Sequence, residues 1–212
     1  MIKLSFRHRF LLSIFTLLAG VFFMSQDAYS QSNSTQAQEM EKAIFAAGCF
    51  WCIEKDMEKL EGVVEAVSGY TGGRTENPTY QDVSTGTTGH REAIQVTFDP
   101  SKVSYSDLLD VFWKNHDPFD NRGQFCDVGF QYTAAIYYLN NAQKKLAEES
   151  KAEAEKALGQ EILTEIEPAA TFYNAEDYHQ NYYEKNPIRY NFYRWNCGRD
   201  QRLEEIWSKS EN

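Results

Sequence analysis

Two cysteines three residues apart, Cys49 and Cys52, stand in the stretch AAGCFWCIEKDMEKLEG, where a short apolar run gives way to helical spacing. Phe50, Ile53, Met57 and Leu60 recur at intervals of 3, 4 and 3, and Gly62 closes the run. Cys49 is therefore expected at the cap or first position of a helix. Unpaired N–H groups and the positive end of the helix dipole favour an anion there, which makes Cys49 a candidate nucleophile as its thiolate. Cys52, one turn on, is close enough for a disulfide with it. The plainer alternative is a small buried cysteine packing like alanine.

Groups that could serve such a thiol lie further along the chain. From His90 to Asp99 the residues alternate as a strand, with Glu92 on the same face as Ile94, Val96 and Phe98. Desolvation would raise the pKa of a carboxyl there and let it donate a proton near neutral pH. In GQFCDVGFQYTAAIYYL, Asp127 and Tyr132 stand at the mouth of another strand, and Tyr80 lies in NPTYQDV. Each alone is more often a packing or turn residue. Together they are proton donors around a thiolate, a set suited to attack on a centre that leaves behind a strongly basic oxygen.

The elements that must position these groups read as an α+β order. Ala43 to Ala47 is a short buried strand and Val63 to Val67 a second. Ser68 to Gly89 is a long loop rich in glycine, serine and threonine, of the kind that is usually functional. Ser104 and Asp107 form a capping-box signature ahead of an apolar run that stops near Pro118. Tyr132 to Leu139 is a strand, Asn141 to Leu158 a charged helix with alanine on its buried side, stopped by Gly159, and Ile162 to Ile166 another strand. Beyond Pro168 the chain turns aromatic and irregular and ends in a short helix near Gln201 to Ser208. Its tyrosines, Phe192 and Trp195 are expected to pack around the site. The order predicts a two-layer sandwich, a mixed and mainly antiparallel sheet with helices packed on it.

Residues 1–30 read as a secretory leader: Lys3, Arg7 and Arg9, an apolar run from Phe10 to Met24, then Ala28, Tyr29 and Ser30 as a cleavage site. Export, to the periplasm, is the expectation, with an uncleaved anchor as the alternative; after cleavage no stable membrane insertion is expected. Residues 31–41 are a polar, disordered lead-in and 42–212 the catalytic domain. Losing three basic residues and Asp27 takes the formal charge from −10 to −12, which argues against nucleic acid or an anionic membrane surface as partner.

Four cysteines, Cys49, Cys52, Cys126 and Cys197, would meet an oxidising compartment. Structural bridging, a zinc site using all four, a thioredoxin-type dithiol-disulfide oxidoreductase and a non-catalytic aromatic module each remain open on spacing alone. A core of about 180 residues needs no staples, which favours redox use of the Cys49 and Cys52 pair.

GCFWCIE, SGYTGG, NPTYQDVSTGTTGHREAIQVTFDP, QYTAAIYYL and AEDYHQNYY, in that order between Ala43 and Trp207, resemble the A-type peptide methionine sulfoxide reductases. The resemblance implies a ferredoxin-like core and reduction of the S epimer of methionine sulfoxide, free or in proteins, through a Cys49 sulfenic acid and an intramolecular disulfide. It implies Glu92 as the acid, Tyr80 and Tyr132 as hydrogen-bonding phenols with Asp127 close by, and Phe50 and Trp51 as the wall for the S-methyl group. It implies no metal or other cofactor, and thioredoxin as reductant, or a thioredoxin-like exported protein if the chain is secreted. The departure is Cys52, where better-known members carry glycine and resolve the sulfenic acid from a flexible tail. Cys52 and Cys197 are both candidates for that step, with Cys126 behind them; Cys52 is close by construction, and the helix expected after Cys197 weakens the flexible-tail picture.

Overall fold

The computed structural model describes residues 39–208. The expected leader and most of the expected polar lead-in lie outside the described residues. Along the chain come β1 (Glu41–Ala47), α1 (Phe50–Glu58), β2 (Val63–Thr71), α2 (Tyr80–Ser84), β3 (Arg91–Phe98) and α3 (Tyr105–Lys114). A two-residue hairpin follows, β4 (Gly123–Gln124) and β5 (Asp127–Val128), then a 3-10 turn at Phe130–Tyr132, β6 (Ala134–Tyr138), α4 (Asn141–Leu158) and β7 (Glu165–Pro168). The last part holds β8 (Tyr173–Asn174), α5 (Tyr182–Lys185), α6 (Pro187–Asn196) and α7 (Arg199–Trp207).

Side chains along β1 alternate between two covered faces, which is why the strand reads as an unbroken apolar run. Ala43, Phe45 and Ala47 enter the main core with residues of α1, α3 and α4, while Ile44 and Ala46 join a smaller core with Ala93, Ala135 and Tyr137. Burying Ile53, Leu108 or Phe112 fully is worth roughly 1.5–3 kcal/mol each. The six-stranded sheet runs β7-β6-β1-β3-β2-β8, antiparallel except where β7 joins β6. Its inner part, β1-α1-β2-β3-α3-β6 with strand order β6-β1-β3-β2, is the ferredoxin-like arrangement expected.

Local signals set several boundaries. The Ser104 side chain accepts from the Asp107 N–H while Asp107 accepts from the Ser104 N–H at 2.8 Å, the capping box that starts α3. Gly159, left-handed, ends α4.

Four expectations need correction. β2 does not stop at Val67 but continues through Ser68, Gly69, Tyr70 and Thr71, all buried and paired with β3. Its small residues are there because the chain crosses closely above: a Cβ on Gly69 would lie 2.4 Å from the Tyr173 carbonyl oxygen. The loop after it contains α2, and β7 begins at Glu165 rather than Ile162. The segment beyond Pro168 is more ordered than expected, with β8 on the sheet edge and three helices.

Candidate active site

Cys49 leaves the end of central strand β1 through Gly48, whose φ of +83° turns the chain into α1. Beside it, β3 carries Glu92 on the core-facing side, 3% exposed. The Phe50 backbone N–H, the first that α1 offers, donates to Glu92 Oε2 at 3.0 Å. The first N–H of the helix is thus taken by the acid, while Cys49 stands at the N-cap expected for it, with no side-chain cap hydrogen bond. Burial, helped by a hydrogen bond to Cys52 and by the Glu92 and Asp127 carboxyls, raises the Cys49 thiol well above its ordinary pKa. Cys52 is instead lowered to about 6, first by the Cys49 S–H that donates to it and then by Arg199 and Arg194, against the opposing effect of burial. One hydrogen bond shared by the two sulfurs thus raises Cys49 and lowers Cys52.

Glu92 is raised to about 8 by burial, with the Phe50 N–H opposing, so near neutrality it holds its proton. Cys49, Phe50, Trp51, Tyr80, Glu92, Asp127, Tyr132 and Tyr193 together line a pocket of about 70 Å³. That is room for the few atoms at the end of a side chain, far below the size of a cofactor cleft. All the residues singled out from sequence around the thiol meet here, apart from the candidates for disulfide closure. Burial raises Tyr80, Tyr132 and Asp127 alike, so the phenols remain protonated donors.

The pocket walls come from three places. Tyr80 opens α2, which Thr79 caps, and its N–H donates to Glu176 Oε1 at 2.8 Å, while the Tyr70 hydroxyl donates to Glu176 Oε2 at 2.8 Å. Trp51 Nε1–H donates to His179 Nδ1 at 3.1 Å, and the indole stacks on Tyr182 with ring centres 3.8 Å apart. Asp127 accepts a hydrogen bond from the Tyr193 hydroxyl. Glu176, His179, Tyr182 and Tyr193 received no individual role from sequence. The signal for the first three was there in AEDYHQNYY, and for Tyr193 in NFYRWN, but polar and aromatic residues without periodicity do not announce what they support.

Cys52, 1% exposed, lies behind the pocket in a cluster with Cys49, Tyr182 and Tyr190. Cys126 and Cys197 are joined in a disulfide, with Cα atoms 5.0 Å apart, whereas Cys49 and Cys52 are free thiols. Cys197 thus stands here as half of a bridge, on a tail held between helices. The arrangement can present one thiol and one neutral acid to a small polar group, with a second sulfur waiting behind the first.

A family profile described as Peptide methionine sulfoxide reductase matches residues 41–211. The chain is 51% identical over 172 residues to peptide methionine sulfoxide reductase MsrA 2 of Rhizobium meliloti, covering 81% of this chain and 86% of that protein. Among solved structures, reduced Mxr1 of Saccharomyces cerevisiae matches with a TM-score of 0.67 and 32% identity, over 70% of this chain and 87% of that one. Methionine sulfoxide reductase A of Corynebacterium diphtheriae matches with a TM-score of 0.64 and 34% identity, over 73% and 78%.

Proposed function

The chain belongs to the peptide methionine sulfoxide reductases, enzymes that reduce methionine sulfoxide, and on that premise we propose how its own residues divide the work. The observation that carries the reading is a neutral buried acid, Glu92, in one small pocket with the Cys49 thiol. Sulfoxide oxygen leaves poorly until protonated, so an acid with a raised pKa beside a nucleophilic sulfur is the combination required.

Cys49 hands its proton to Cys52 and attacks the sulfoxide sulfur while the oxygen takes the Glu92 proton. The products are methionine and Cys49 as a sulfenic acid, S–OH. Tyr80 and Tyr132 hydrogen-bond the oxygen, Asp127 with Tyr193 fixes the pocket rim, and Phe50 and Trp51 receive the S-methyl group. Cys52 then returns its proton to Glu92 and attacks the sulfenic sulfur: the S–S bond forms, the S–O bond breaks, and hydroxide leaves as water with the Glu92 proton. A dithiol reopens the disulfide, its two protons going to Cys49 and Glu92.

Cys52 is assigned the closing step because it is free and hydrogen-bonded to Cys49, while Cys197 is committed to Cys126. A thioredoxin-type exchange role is disfavoured, since a thiol pair working alone has no use for Glu92. The substrate epimer is S, as the resemblance implies, the two epimers being served by separate enzymes. The leader pattern in residues 1–30 supports export, and the Cys126–Cys197 bridge agrees with an oxidising compartment. The reductant is then an exported thioredoxin-like protein, and the substrates oxidised proteins outside the cytosol.

Purified protein with dithiothreitol should consume the S epimer of a blocked methionine sulfoxide and leave the R epimer untouched. Cys49→Ser should abolish this. Cys52→Ser, without reductant, should still release about one methionine per enzyme and leave a sulfenic acid that dimedone captures. Reduction of the R epimer, or of neither, would sink the reading.

A further inference from the structure

Behind the pocket, the Cys52 sulfur faces an unusual set of partners. The fully buried Tyr190 on α6 lies in one cluster with Cys52 and accepts from Arg194 Nη1 at 3.1 Å. The same Nη1 donates to Asp56 Oδ2 on α1 at 2.7 Å, with the Asp56 side chain 6% exposed and that of Arg194 12%. Arginine has donors and no acceptor, so Tyr190 sends its own proton away from Arg194, and the Cys52 sulfur lies in the same buried cluster. Sulfur is a weak acceptor as a thiol and a strong one as a thiolate. In the reduced enzyme the Cys49 S–H is a second donor, lost once Cys49 is oxidised, and the buried Arg199 guanidinium on α7 is a second cation.

We propose that Tyr190, oriented by the Asp56–Arg194 ion pair, holds the Cys52 sulfur as an anion both when it closes onto Cys49 and when the disulfide is reopened, with Arg194 as a positioning residue. This rests on the assignment of Cys52 to the closing step. The depression of Cys52 to about 6 is consistent with it, although the Cys49 S–H is the largest cause and the two arginines and Tyr190 come after. The other titratable groups acting on the sulfur are Lys55 of α1, Glu92 of β3 and Tyr193 of α6.

Reopening then has a direction. Cys49 lines the pocket and Cys52 does not, so a reductant thiolate reaches the Cys49 sulfur. A new S–S bond forms there, the Cys49–Cys52 bond breaks, and its electron pair goes to Cys52, the thiol of lower pKa and hence the better leaving group. The reductant's second thiol then releases Cys49.

The test compares Tyr190→Phe, Arg194→Gln and Arg194→Lys with the wild type in a single turnover without reductant, from pH 5.5 to 9. Methionine formation and loss of the two free thiols are followed separately, with dimedone capturing the sulfenic acid. Tyr190→Phe and Arg194→Gln should slow closure relative to methionine formation by up to about tenfold below the wild-type closure midpoint, the effect of one pKa unit, and little above it. They should move its midpoint up by about a unit and accumulate the dimedone adduct, and Arg194→Lys should recover most of the loss. A closure midpoint that stays in place in both would overturn the proposal, since a merely structural role would lower stability without moving it. Absence of any methionine burst in the wild type would instead overturn the underlying function, and this proposal with it.

Discussion

Replacing Glu92 by Gln tests the acid directly. Glutamine keeps the side chain's shape and an oxygen to accept from the Phe50 N–H, now at 3.0 Å, but has no proton to transfer. Glu92 makes no ion pair and is 3% exposed, so a neutral replacement leaves the packing intact. With a pKa of about 8 the wild-type carboxyl is roughly nine-tenths protonated at pH 7. Cys52, lowered to about 6, sets the other limit, because the thiol pair must carry its one charge while Glu92 keeps its proton. Single-turnover methionine formation in the wild type should therefore peak between about pH 6 and pH 8. Glu92→Gln should lower it by about 10² to 10³ at pH 7, the usual worth of a positioned acid, and erase the fall above pH 8. Stopped-flow quenching with methionine quantified by chromatography gives both readings. A variant within about threefold of wild type, or one that keeps the alkaline fall, would refute the assignment.

Cys126→Ser with Cys197→Ser should cost about 2–4 kcal/mol in urea unfolding, for a bridge spanning 71 residues, while Cys49 and Cys52 still close. Lost turnover at unchanged stability would return Cys197 to the role of closing thiol. Glu54 is fully buried and raised to about 8, chiefly by burial. A carboxyl raised in the folded state is most compatible with folding below its unfolded value near 4.5, so stability should decline as pH rises from about 4.5 to 8. Glu54→Gln should gain roughly 1–4 kcal/mol over wild type at pH 8 and little at pH 4.5; a gain that does not grow with pH would contradict this. In Gly48→Ala the new Cβ would lie 2.5 Å from Gln124 Cβ at a φ of +83°, so a loss of at least about 2 kcal/mol and of the Cys49 geometry is expected. An unchanged melting temperature would show that the turn is not needed.

Where the sequence carried local chemistry it could be read. Ser104 with Asp107, and Gly159, announced α3 and α4 because caps act through their own neighbours. Alternation in β3 was enough to turn Glu92 inward. Ser68 to Thr71 was hidden because both faces of β2 are covered there and close packing selects small residues, which look like loop. The tail misled in part. Tyr182 and Tyr190 are buried as expected, but Phe192 and Trp195 are 63% and 75% exposed on α6, and no apolar stripe marked that helix. The Cys126–Cys197 bridge was not read, since four cysteines allow three pairings, although the spacing already favoured redox use of Cys49 with Cys52. The lowered pKa of Cys52 was equally out of reach: Arg194 and Arg199 approach the sulfur from helices more than a hundred residues away along the chain.

Cys49 and Cys52 occupy one turn of one helix, under a tail tied down by the Cys126–Cys197 bridge. A sulfenic acid that must wait for a mobile segment has time to meet peroxide, and oxidation to sulfinic acid is in general not reversed. Here the second sulfur is already within contact, so capture is intramolecular and no chain search precedes it. On the proposed cycle, the intermediate most easily ruined by overoxidation is captured where it forms, a useful property for a repair enzyme.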